Sequence, residues 1–100
     1  MMKKQAEALG WLNEVKSDAA FASDKFETTA DAIAAVKRIY EAGARKVRVE
    51  FDEKDEIHTS RLIVLGTEES TQRIFSVIWS LNPDEIHFYR GDQSWKLWWD

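Results

Sequence analysis

The chain has 100 residues, 44% of them apolar and 32% charged, which suits one domain with a single hydrophobic core. Its 14 basic and 18 acidic residues leave a formal charge of −4, which argues against nucleic acid or anionic membrane as a partner and favours a basic protein partner over an acidic one. Cysteine is absent, which excludes disulfides, thiol nucleophiles and cysteine metal sites and fits a reducing compartment.

The first residues, Met1-Met2-Lys3-Lys4, are basic, but Glu7, Asn13, Glu14 and Lys16 interrupt any apolar run behind them. A cytoplasmic protein is therefore expected, without a leader or a membrane span. Ala8, Trp11, Leu12 and Val15 recur at spacings of three and four, which predicts a helix over residues 4–16. Residues 17–27 are small and polar, with Phe21 and Phe26 as anchors and room for a short extra strand around Phe26. Thr28, with Asp31 three residues on, predicts a capped helix start. Ala32, Ile33, Val36, Ile39 and Tyr40 would form its buried face, and Gly43 its end.

Val47, Val49 and Phe51 alternate with Arg48, Glu50 and Asp52, the pattern of a strand with one dry and one wet face. Leu62-Ile63-Val64-Leu65 is apolar on both faces and predicts a central strand. Gly66-Thr67-Glu68-Glu69 predicts the start of a third helix, with Thr67 as cap and Ile74, Phe75, Ile78 and Leu81 facing inward. Asn82-Pro83 ends it. Ile86 and Phe88 then alternate with His87 and Tyr89, and Gly91-Asp92 reads as a two-residue hairpin turn with glycine first. The tail Trp95-Lys96-Leu97-Trp98-Trp99 is too aromatic to fray, so it reads as a packed strand.

A shift of 39 residues lays Val36, Ile39, Tyr40 and Gly43 on Phe75, Ile78, Trp79 and Asn82, and lays Val47 and Val49 on Ile86 and Phe88. The expected fold is thus α+β in two layers over residues 1–100. A four-stranded, mainly antiparallel sheet carries two helices on one face, built as an α-β-β-α-β-β core over 28–99. The extra N-terminal helix lies elsewhere. This element order resembles small two-layer α+β proteins such as ferredoxin-like domains, and the resemblance implies the architecture alone.

The two-residue turn pairs Phe88 with Trp95 and Ile86 with Leu97, which keeps Lys96 out of the core. Trp98, His87, Lys96 and Tyr89 then project from the side of the sheet without helices. A large ring left wet there points to an interaction surface. Trp98 and Tyr89 would be its centre, with Arg48, Glu50, His87 and Lys96 as the polar rim. The leading expectation is a non-enzymatic module that forms a homodimer or binds another protein, with no cofactor. The competing structural reading folds the N-terminal helix over that face, so that Trp11 meets Trp98.

Other chemistry is thinner. Glu85, His87 and Tyr89 share one strand and supply the alternative of a small-molecule or metal-dependent enzyme, but catalytic zinc usually takes three protein ligands. His58 has no partner that sequence can assign. Asp52, Asp55 and Glu56 lack the ligand order of an EF-hand. The strand at Lys46–Phe51 lacks the glycine-and-aromatic pattern of an RNA-binding sheet, and Glu50, Asp52 and Glu85 would repel phosphate. Arg90-Gly91-Asp92 reads as a turn.

Overall fold

The computed structural model describes residues 3–15, 20–21, 25–52, 54–55 and 58–99. Its elements are β1 (Lys3–Glu7), α1 (Ala8–Glu14), α2 (Thr29–Glu41), β2 (Lys46–Asp52), β3 (Arg61–Leu65), α3 (Thr71–Ser80), β4 (Glu85–Tyr89) and β5 (Ser94–Trp98). The sheet is five-stranded, with order β1-β2-β3-β5-β4 and every pair antiparallel. The α+β class is as expected, but the sheet has one strand more than the four predicted.

The extra strand is β1. Residues 4–7 were expected to be helical, since lysine, glutamine, alanine and glutamate are good helix formers. They instead complete the outer edge of β2, with Ala6 opposite Val49. Tertiary pairing outweighs propensity here. Glu7 makes the switch from strand to helix, because its carboxylate accepts the N–H groups of Leu9 (3.0 Å) and Gly10 (2.7 Å) and so caps α1. The stripe of Ala8 and Leu12 is then buried as expected. Among the described residues no strand forms around Phe26. Phe21 makes a single parallel bridge to Thr59, and both rings close on Trp99 at about 5.5 Å between centroids.

All three helices lie on one side of the sheet, and they share one core with Val47, Val49, Phe51, Leu62, Val64, Trp95 and Leu97. The N-terminal helix is not apart from the other two, because Leu12 enters this core and Trp11 stacks on Phe51 (5.9 Å, 24°). The competing reading in which Trp11 meets Trp98 is thereby corrected. Trp95, Leu97 and Trp99 are buried, so the aromatic tail is a packed segment. The Trp99 indole N–H donates to the Leu81 carbonyl (3.0 Å).

Both helix ends expected from residue type form. Thr28 Oγ1 accepts the Asp31 N–H (3.2 Å) at the start of α2, and Gly43 follows its end with φ 112°. Asn82 takes φ 55° after α3. The start of α3 differs from expectation. Thr67 and Ser70 bond each other's hydroxyls and amides in a turn, so Glu68 and Glu69 stand in that turn and the helix begins at Thr71. Its buried stripe is Ile74 and Ile78, while Phe75 is 44% exposed. The β4–β5 register is the one predicted: Glu85 faces Trp98, His87 Lys96 and Tyr89 Ser94. The turn differs, since the left-handed residue is Gln93 (φ 52°) rather than Gly91.

The strands obey an approximate two-fold. It passes between Ile63 and Lys96, exchanges the β2–β3 hairpin with β4–β5, and lays Lys46 on Glu85, 39 positions on. One thing breaks the symmetry. The outer edge of β2 is filled by β1, whereas no strand among the described residues pairs with the outer edge of β4.

Candidate functional site

The helix-free side of the sheet carries the residues singled out from sequence. Trp98 projects there, opposite Arg61 on β3 and Glu85 on β4. Its ring is partly covered by its own chain, with the Arg61 guanidinium 5.9 Å from the ring centroid and the indole N–H donating to Ser60 Oγ (3.1 Å). Glu50 is only 7% exposed, and Lys96 Nζ approaches its carboxylate at 3.6 Å. His87 Nε2 lies 3.8 Å from Glu85 Oε2. Together with Arg61 and Tyr89, these side chains line a shallow hollow of about 330 Å³.

Five of the six predicted contact residues therefore meet there. Arg48, opposite Ile63 on β2, does not line the hollow. The surface is one of paired charges around a shielded indole. Glu85 and His87 have no third ligand beside them, because no group of three or more His, Asp or Glu side chains converges among the described residues. His58 has a partner after all: its backbone N–H and Nδ1 both reach Asp55 Oδ1 (3.1 and 3.5 Å). Of the acidic loop cluster, Glu56 lies outside the described residues.

A second surface was not expected. On the helix side of β4, Phe75, Trp79, Ile86, Phe88 and Trp95 line a groove of about 480 Å³, with Thr71 and Gln72 at one end. Trp79 is 68% exposed and Phe88 42%. Among the described residues the layer of helices ends at α3, so none of them covers the inward side chains of β4. The rings are ordered against each other, Phe75 with Trp79 at 6.0 Å and Phe88 with Trp95 at 4.8 Å. Tyr89, 51% exposed, flanks the same strand from the other side of the sheet.

A signal for this groove is present in the sequence. Besides Val77, the apolar residues of α3 make two stripes, Ile74/Ile78 and Phe75/Trp79, each at spacing four, and a helix packed on one side buries only one of them. Compared with protein families, with curated proteins and with solved structures, the chain matches none.

Proposed function

We propose that this chain is a non-enzymatic cytoplasmic protein-interaction module, and that its contact surface is the groove between α3 and β4. The supporting observation is the joint exposure of Phe75, Trp79 and Phe88 beside an open sheet edge. Scattered wet hydrophobic residues are ordinary, but a contiguous aromatic cluster is typical of binding hot spots. An open edge adds a row of backbone donors and acceptors for an incoming strand. Tyr89 and His87 border this surface from the helix-free side.

A photo-reactive side chain at position 79 tests the reading, with position 41, exposed at the end of α2, as the control. Irradiation in cells should give a discrete protein adduct at 79 and none at 41. Absence of adducts at 79 contradicts the assignment.

The helix-free face supports a second reading, in which Trp98 and Tyr89 centre the contact and Arg48, Glu50, His87 and Lys96 form its rim. It is favoured by the absence of any helix among the described residues over Trp98. Adducts from position 87 or 96 with none from 79 would favour it. An enzyme site at Glu85, His87 and Tyr89 has less support, since Glu85 and His87 already face each other on an open strand.

A further inference from the structure

Resting on the assignment of the α3–β4 groove as the contact surface, we infer that its occupant is a second copy of this chain. The two β4 strands pair antiparallel across a two-fold axis at His87, so that two five-stranded sheets run on as one.

Three observations lead there. The first is the parity of the edge. Trp99 N–H bonds Ser60 O (3.0 Å) and Gly66 N–H bonds Gln93 O (2.8 Å), so the odd-numbered residues of β5 turn their backbone groups toward β3. Ser94, Lys96 and Trp98 therefore bond toward β4, where their opposites are Tyr89, His87 and Glu85. The N–H and C=O groups of Ile86 and Phe88 are left pointing out of the sheet. In an antiparallel pair centred on His87, Ile86 of each copy meets Phe88 of the other, and these are the residues with backbone groups to exchange. Both side chains stay on the helix side, next to the groove.

The second is self-complementary charge. Asp84 and Glu85 make the start of the strand acidic and Arg90, just past its end, is basic; Glu85 also faces His87 (3.8 Å), and Asp92 further on in the turn accepts from the Ser94 hydroxyl (2.6 Å). Antiparallel pairing sets Asp84 of one copy opposite Arg90 of the other, and parallel pairing would set like against like. The other open edge, β1, holds two lysines among its five residues, a common device against edge pairing.

The third is a precedent within the chain. Thirty-nine positions before Trp79 and Phe88 stand Tyr40 and Val49, and both are covered by β1: the Tyr40 hydroxyl bonds Glu7 (2.7 Å), and Val49 lies opposite Ala6. The fold thus already docks an antiparallel strand on the equivalent edge. The exposed parts of Phe75, Trp79 and Phe88 amount to roughly 300 Å² per copy, taking about 200 Å² for a whole ring. Two copies can then bury at most about 600 Å² of ring surface, to which the paired strands add, against the roughly 1,000 Å² that a specific interface needs.

Because the chain has no cysteine, a single introduced thiol reports the register. In the inferred pair, position 87 faces itself as a non-hydrogen-bonded pair with Cα atoms about 4.5 Å apart, within the span of about 4.4–6.8 Å that a disulfide bridges. Oxidised His87→Cys should run as a covalent dimer, and Glu41→Cys should stay single. Adding Trp79→Ser to His87→Cys should weaken association at least about 30-fold, as loss of a hot-spot ring does. A chain that stays monomeric at high micromolar concentration overturns the inference, as does a dimer that fails to cross-link at 87. An adduct at position 79 with a protein of another mass, from a chain that is monomeric alone, overturns the second copy as occupant and leaves the contact surface standing.

Discussion

Tyr40 and Glu7 show how single side chains hold the edge of this fold. The Tyr40 hydroxyl donates to Glu7 Oε2 (2.7 Å) and accepts the Val47 N–H (3.0 Å), tying α2 to both β1 and β2. Burial pushes the Glu7 carboxyl up, but the Gly10 N–H, the Tyr40 hydroxyl, the Leu9 N–H and nearby Lys46 together hold it below the ordinary carboxylate range. Burial, with the Glu7 carboxylate close by, raises the Tyr40 phenol against the opposing Val47 N–H. The signs follow from linkage. The Glu7 contribution is present above the unfolded carboxylate pKa and is lost as pH falls through the lower folded value. The Tyr40 contribution is present below the unfolded phenol value and is lost as pH rises beyond it. Tyr40→Phe should cost about 1–2 kcal/mol in urea unfolding at neutral pH, since it removes a bond to a charged group and leaves Val47 without its partner. Glu7→Gln should flatten the acid limb of stability against pH. Sequence suggested that Tyr40 was inward, but its bond to Glu7 depended on a strand that composition hid.

At the level of elements, legibility followed how far each segment's own pattern agrees with its final place. α2 carries its cap, its stripe and its stop within 16 residues, from Thr28 to Gly43, and formed as predicted. The register of β4 on β5 was readable because only one alignment keeps Lys96 out of the core. β1 was unreadable because its pattern is helical and only β2 makes it a strand. α3 was misjudged at Phe75 because periodicity tells that residues share a face, not where the covering layer stops. The open groove follows from that single fact. It also makes a prediction for β4 alone. At low concentration the Ile86 and Phe88 amides should exchange hydrogen much faster than those of Glu85, His87 and Tyr89, which bond to β5. Raising the concentration should protect Ile86 and Phe88 selectively. Equal rates for all five at low concentration would contradict the edge parity.

For the whole molecule, one core joins three helices to one side of an antiparallel sheet, and no buried side-chain nitrogen or oxygen among the described residues lacks a partner. No helix among them is long and apolar enough to cross a membrane. The two ends of the sheet are treated unequally. At one end β1 pairs with β2 and α1 covers Phe51, and at the other Phe75, Trp79 and Phe88 face solvent. The class of fold was legible because alternating and helical periods follow each other cleanly from Thr28 onward. The unequal ends were not, because they arise from which element runs out first, a property of the assembled layers. Sedimentation equilibrium of the unmodified chain beside Trp79→Ser and Trp98→Ala tests the central claim most directly. A dimer through the α3–β4 groove has a mass of two chains, each 11.6 kDa, that falls to one with Trp79→Ser and persists with Trp98→Ala. A two-chain mass that survives Trp79→Ser and is lost with Trp98→Ala would contradict it.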